Sequence, residues 1–358
     1  LSGQVGVPTR AAAPEPSPAL VHLAQNKIES QSKPEAKDPE DLKYPPSSTE
    51  PISVSIGLHV SNLADIDQAS ETYGVAGYLL YSWRDPRLAY KPQSNPTNHK
   101  VVSLEQIWHP ALEMVNFKSS DFSETSVEIL PDGTVLAQER FSRTLSSGLN
   151  LRNFPFDRQD LQVVLESLKY GDKTVALGVD ASKISIGTDS FVSLSEWQIG
   201  KIRGRTGKSF FPPEQQHYSR VIITVQVQRN FGFYLFKIML PLFLITIASW
   251  SVFWIDPQEF STQITIAFTN LLTVVALLLV INDSLPRVGY LTLMDGFTML
   301  CFMTILIAIL ELIVAHRWQA GGNQQKALKI HHLARWVFPT TFIVSNFILV
   351  GVMGLGQG

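Results

Sequence analysis

Four threonines, Thr262, Thr265, Thr269 and Thr273, punctuate the apolar run TQITIAFTNLLTVVALLLVINDSLPR that begins at Thr262. In a helix turning 100° per residue their hydroxyls share an arc of roughly 80°. Leu272, Ala276 and Leu279 continue that face with apolar side chains, and Asn282 and Asp283 close it at the far end. Hydroxyls, then a hydrophobic band, then polar groups are what the wall of a water-filled passage needs if it is to narrow and dewet. The same threonines also suit bonding back to the preceding turn or joining helices in a bundle, so plain helix packing stands as the alternative. One helix encloses nothing, so a pore requires several subunits around an axis, most simply a ring.

Other reactive residue types do not converge. Cys301 is the single cysteine, which excludes an intrachain disulfide, and inside an apolar run a thiol behaves as a small hydrophobe. The eight histidines do not join carboxylates or thiols at metal-ligand spacing. His331-His332 is a lone pair, read as interfacial rather than metal-binding. GRTGKS, at 204 to 209, resembles a phosphate loop, but the glycine required five residues before Gly207 is Ile202, and a strand follows where a helix should open. No catalytic residue, metal or cofactor is expected.

These side chains sit in a chain of two textures. With 358 residues, 45% apolar content and a net charge of −2, it is long enough for more than one domain and lacks the basic excess of a nucleic-acid binder. Residues 1–50 are rich in Pro, Ala, Ser, Lys and Glu, a composition that buries little, with one short helix expected from Ala19. Residues 51–229 alternate in runs such as ISVSIGLHV, VAGYLLYSW, TSVEIL, TVLAQERFS, LQVVLESL and VIITVQVQ, broken by turns at Pro131-Asp132-Gly133 and Tyr170-Gly171-Asp172. That pattern indicates an all-β, immunoglobulin-like sandwich of about ten strands. Residues 230–358 hold four apolar segments, at about 231–254, 261–283, 290–316 and 334–354, each matching the roughly 20 residues that cross a bilayer.

Arg317, Lys326, Lys329 and Arg335 crowd the connection between the third and fourth segments, which places it in the cytoplasm and the β-domain outside. Export needs a signal sequence, and residues 1 to 25 have no apolar core for one, so the chain reads as a mature form. Lys237 lies early in its segment and can snorkel. Asp295 lies near the outer end of the third segment, and Glu311 lies deeper, where an internal hydrogen bond is expected.

Several motifs in order carry a resemblance over about 52 to 355. They are Trp83-Arg84-Asp85-Pro86-Arg87-Leu88, Trp108-His109-Pro110, PDGTV from 131 with Glu139-Arg140-Phe141-Ser142, and Phe154-Pro155-Phe156-Asp157. Arg229 before the first segment, Pro241 within it and Leu285-Pro286-Arg287 after the second complete the set. The sequence resembles a bacterial pentameric ligand-gated ion channel, a relative of the Cys-loop receptors. Asn153 and Leu161 stand where animal members have their cysteine pair, which fits a bacterial protein of the inner membrane with a periplasmic β-domain.

The resemblance implies a homopentamer in a lipid bilayer. Its pore would be lined by Glu259, Thr262, Thr265, Thr269, Leu272, Ala276, Leu279 and Asp283, with Leu272, Ala276 and Leu279 as a hydrophobic gate. Agonist would bind between β-domains at Tyr78, Trp108, Tyr170, Phe210, Phe211 and Tyr218, though Val115 and Leu168 replace two expected aromatics and these rings equally suit core packing. Asp67, Phe156, Asp157, Arg229, Pro286 and Arg287 would couple the domains. Glu71 resembles a proton-sensing glutamate of acid-opened relatives, whereas Val274 replaces their second-helix histidine. Asp256 and Glu259, with no Arg or Lys nearby, favour cations such as Na+ and K+; anion-selective relatives carry arginine near the place of Gln263. The agonist is an unknown small molecule, with protons or divalent cations as modulators. A transporter would show repeats and broken helices that are not evident, and a receptor that binds without conducting remains a further alternative.

Overall fold

The computed structural model describes residues 40–91, 99–187, 196–281 and 288–355. The helix expected from Ala19, and Asn282, Asp283, Leu285, Pro286 and Arg287, lie outside them.

Ten strands form two facing sheets among the described residues. β1 (Ile52–Asp67), β2 (Thr72–Arg84), β3 (Lys100–Val102), β5 (Phe117–Ile129), β6 (Thr134–Ser146) and β8 (Val175–Ile186) make a six-stranded sheet in the order β3-β5-β6-β2-β1-β8. The second sheet runs β4 (Leu112–Met114), β7 (Arg158–Ser167), β10 (Gln216–Arg229), β9 (Trp197–Phe211). All pairings are antiparallel except β1 with β8. Strict alternation buries Tyr73, Val75, Leu79, Tyr81 and Trp83 of β2 against Val221, Ile223, Val225 and Val227 of β10, as a half-buried strand pattern requires. β8 and β9 escape that pattern: β9 is exposed at most positions. GRTGKS lies inside β9, with Gly204 opposite Ile223 and Lys208 opposite Ser219, so its amides serve a sheet and cradle no phosphate.

Two of the family-like motifs are structural. Asp85, fully buried, accepts from Arg87 N, Nε and Nη2, and Arg87 reaches on to the carbonyls of Asp41 and Tyr44. Gly133 closes the β5–β6 hairpin at φ +84°, and a Cβ there would lie 2.5 Å from Asp85 O. Only glycine fits a left-handed position pressed against backbone.

Four helices follow: α1 (Gly232–Trp254), α2 (Phe260–Ile281), α3 (Leu293–Ala320) and α4 (Gln324–Leu355). Each is long and apolar enough to cross a membrane. Within α1, residues Leu235–Met239 widen into a π turn just before Pro241, which relieves the clash of a proline ring with the carbonyl four residues back. The basic connection is almost all helix: α4 begins at Gln324, ten residues before its expected start. Hydropathy marks only the span in hydrocarbon, whereas the helical ladder continues past it with Ala327, His331 and Ala334 buried.

Candidate functional site

The helix α2 has two unlike faces. Gln263, Ala267 and Val274 are buried, with Asn270 half-buried between them, a spacing of four, three and four that packs one stripe on α1 and α3. Opposite them, Thr262, Thr265, Thr269, Leu272, Thr273, Ala276 and Leu279 are exposed, Leu272 to 69% and Leu279 to 73%. The hydroxyls of Thr265, Thr269 and Thr273 each donate to the carbonyl four residues back at 2.7 Å. Each oxygen keeps lone-pair capacity for a partner outside the helix. Glu259 ends the connection before α2, exposed, and its Oε2 accepts from Thr262 Oγ1 at 3.1 Å. Gln263 faces away from the stripe, so its identity says nothing about a permeating ion.

The junction between sheet and helices centres on a buried cation. Arg229, the last residue of β10, gives Nε to Asp157 Oδ1 at 2.7 Å and Nη2 to Oδ2 at 3.2 Å, with both side chains wholly buried. Asp157 Oδ2 also accepts from Gln159 Nε2 at 2.6 Å. Gln68, its amide oxygen assigned toward the guanidinium, accepts from Nη1 at 2.8 Å and Nη2 at 3.3 Å. The rings of Trp197, Phe154 and Tyr234 lie 4.1, 4.8 and 5.8 Å from the guanidinium carbon. Their faces attract the cation where water is absent. Trp197, Gln68 and Gln159 escaped sequence reasoning because they sit on separate elements and share no local pattern.

Below this cluster, the loop carrying Phe154 and Asp157 caps α3. Leu293 N donates to Arg152 O at 2.8 Å and Met294 N to Phe154 O at 3.1 Å, while Thr292 and Asp295 form a reciprocal capping box. The first amides of a helix lack internal acceptors, and here the β-domain supplies two of them. Tyr290 Oη accepts from Leu151 N at 3.0 Å, and Phe156, exposed, packs on Phe231 at 5.1 Å. In the β1–β2 turn, Asp67 Oδ1 accepts from the amides of Ala69 and Ser70. The Ser70 side chain and then those amides hold the Asp67 carboxyl below the usual carboxylate range. Glu71, exposed in the same turn, adopts φ +52°.

The six aromatics named from sequence divide. Phe210 and Phe211, at the tip of the β9–β10 flap, are exposed, and Tyr170 is half-buried. The loop of Tyr170 is fastened to the flap: Asp172 N donates to His217 O at 2.8 Å and Lys208 Nζ to Asp172 Oδ2 at 2.7 Å. Lys208 thereby lowers the Asp172 carboxyl's pKa. Trp108, 1% exposed, is core, between Trp83 at 6.1 Å and Tyr170 at 5.6 Å. Tyr218 is buried, its hydroxyl donating to Glu214. Tyr78 belongs to the other sheet, beside His59, so no single subunit brings it to the flap. A cavity of about 190 Å³ adjoins Tyr170, lined by Lys43, Glu105, His109 and Lys169 among others. Burial and then the Lys169 charge lower the His109 pKa. Sequence reasoning missed these polar neighbours because they converge from separate loops.

Comparison with known proteins adds the following. The profile of the neurotransmitter-gated ion-channel ligand binding domain matches residues 40–231, and that of the neurotransmitter-gated ion-channel transmembrane region matches 238–329. A proton-gated ion channel of Gloeobacter violaceus is 28% identical over 306 residues, 85% of this chain and 84% of that one. The gamma-aminobutyric acid receptor subunit beta-4 of Gallus gallus is 27% identical over 285 residues, 77% of this chain and 58% of that one. Subunit rho-2 of Homo sapiens is 28% identical over 281 residues, 76% and 60%. The chain thus spans less than two thirds of either receptor subunit.

Proposed function

The chain belongs to the neurotransmitter-gated ion channels, a family of pentameric ligand-gated channels, and from that premise we propose that it forms a homopentameric, cation-selective pore opened from its outer β-domain. The observation that carries this is the uncovered face of α2, on which Thr265, Thr269, Leu272, Ala276 and Leu279 line up opposite a buried stripe. Five such faces around an axis give a hydroxylated inner mouth below a hydrophobic band. Leu272, Ala276 and Leu279 close it by excluding water. Glu259, repeated five times beside Thr262, gives the inner mouth a negative field that draws Na+ and K+.

A small agonist binds where Phe210, Phe211 and Tyr170 of one subunit meet Tyr78 of the next. Trp108 and Tyr218 act there by holding Tyr170 and the flap. Binding shifts a closed–open equilibrium through the Arg229–Asp157 cluster, with Asp67 and Phe156 at its edge. The protein resides in a bacterial inner membrane with the β-domain periplasmic. Its domains run 51–229 and 230–358, and of the segment over 1–50 the stretch from Asp41 to Tyr44 is fastened to the β-domain through Arg87.

The similarity to a channel named proton-gated supports a second reading, in which protons open the pore with Glu71 taking part. Electrical recording from the purified protein in lipid tests both, with steps of outer pH and reversal potentials in asymmetric salt. Discrete currents reversing toward the cation potential are expected, and reversal toward chloride refutes the role of Glu259. Currents evoked by outer acid alone, and lost in Glu71→Gln, support the second reading. Silence from intact pentamers in every condition, including Leu272→Thr, refutes conduction.

A further inference from the structure

The inner half of the helical bundle contains a buried polar cluster that the outer-domain mechanism does not use. Gln263, in the first turn of α2, is 2% exposed, and its Nε2 lies 3.2 Å from Val252 O, 3.2 Å from Ile255 O and 3.3 Å from His331 Nε2. His331, on α4, is 1% exposed; it is no interfacial partner of His332, which is exposed and turned to Leu328 O. The other imidazole nitrogen, Nδ1, stands 3.4 Å from Oε1 of Glu311 on α3. Glu311 is 8% exposed, and among the described residues neither of its carboxylate oxygens has a hydrogen-bond partner. A buried carboxylate without a donor is costly.

The two hydrogens of the Gln263 amide nitrogen face three acceptors, the carbonyls of Val252 and Ile255 and the ring nitrogen of His331. The amide nitrogen cannot accept, so a ring nitrogen without hydrogen suits this neighbour, and the proton of a neutral ring then sits on Nδ1, toward Glu311. A second proton on the ring would set Nε2–H against the Gln263 N–H groups. Turning the amide over does not help, because its oxygen would then face the carbonyls of Val252 and Ile255. Among the described residues, no further charged side chain bonds to the pair. From α1, the Phe253 ring meets His331 edge-on at 5.7 Å, and Arg335 of α4 spends its Nε on Phe253 O at 2.7 Å. On α3, the His316 ring stacks on Phe260 at 4.0 Å.

We infer that the Glu311–His331 pair is a binding site for a proton arriving from the side of the membrane remote from the β-domain, and that its occupation releases the anchor of the pore helix. Glu311 lies nine residues before the end of α3 and His331 seven after the start of α4, so the pair sits about 10 to 14 Å from the connecting turn. Protonation gives the carboxylate a charged partner and, in the same event, sets an imidazole N–H against the Gln263 amide group, which weakens the hold of Gln263 on Val252 and Ile255. Gln263 ties the first turn of α2 to the end of α1, directly beside Glu259, so the inner mouth loosens. The effect on conduction rests on α2 being the pore helix; proton binding and the loosening do not.

The full chain in liposomes tests this by hydrogen exchange and ion flux as pH is stepped from about 8 to about 5. Exchange of peptides covering 252 to 265 is compared with His331→Gln at each pH, so that the chemical pH dependence of exchange cancels. At low pH the unchanged protein is expected to exchange there several-fold faster than the variant, and at high pH to match it. Flux is expected to respond to the inner pH step in the unchanged protein and not in the variant. An exchange ratio independent of pH overturns the inference, as does a conducting channel indifferent to inner pH. Absence of flux throughout tells against the channel reading, and exchange then decides the proton site. If His331→Gln does not assemble, Glu311→Gln serves; it keeps the size, removes the counter-charge, and is expected to abolish most of the low-pH difference.

Discussion

Arg229 is a cation with no access to water, and its surroundings are built around that fact. An exposed ion pair contributes about 0 to 1 kcal/mol; a buried one earns little net stability against hydrophobic residues, but losing one partner costs about 3 to 5 kcal/mol. The Asp157 carboxylate, the Gln68 oxygen and three ring faces satisfy the guanidinium, so a shift in any of them is felt by the others. Asp157→Asn keeps the shape but removes the charge. It is expected to lower stability by about 3 to 5 kcal/mol and to change agonist sensitivity or open probability while pentamers still assemble. Recording beside a mass measurement checks this; loss of assembly with unchanged gating in the remaining pentamers would assign the pair to folding alone.

At the scale of elements, α2 packs one stripe and leaves the opposite one bare, and α3 takes the acceptors for its first two amides from a β-domain loop. The second arrangement makes the loop around Asp157 a part of the helix, so a displacement of the β-sandwich reaches α3 without passing through a flexible linker. The first puts Leu272 where five copies would meet. Threonine there is smaller and its hydroxyl can hold water, so the closed band would wet more readily. Leu272→Thr is expected to raise agonist-free open probability by about tenfold or more, equivalent to ~1.4 kcal/mol, read as single-channel activity. Unchanged or reduced activity would move the gate elsewhere on α2.

For the whole molecule, the uncovered surfaces are as informative as the packed ones. β5 is exposed from Phe117 through Ser126, with Phe117 and Phe122 bare and the Arg140 guanidinium 5.5 Å from the Phe122 ring. On the other sheet, Phe210 and Phe211 are bare as well. Apolar groups on opposite sheets of a sandwich suit a head-to-tail contact, the kind that closes into a ring. Native mass spectrometry is expected to give five chains per particle, and Phe122→Glu, which would bury a charge in that contact, to shift the population toward smaller species. An unaltered pentamer in the variant would place the contact elsewhere.

Local signals in the chain determined a good deal. Period-two alternation set β1, β2, β6, β7 and β10; runs of about 20 apolar residues set the four helices; the threonine spacing set the face of α2. Each depends on neighbours within one element, and so survives without knowledge of the fold. Tertiary structure alone decided what sits between elements. It turned Gln263 inward, sank Trp108 into the core, surrounded Arg229 with Trp197 and Gln68, and joined Glu311 to His331. Burial and pairing of a polar side chain depend on residues tens to hundreds of positions away, and no periodicity in the sequence records that distance.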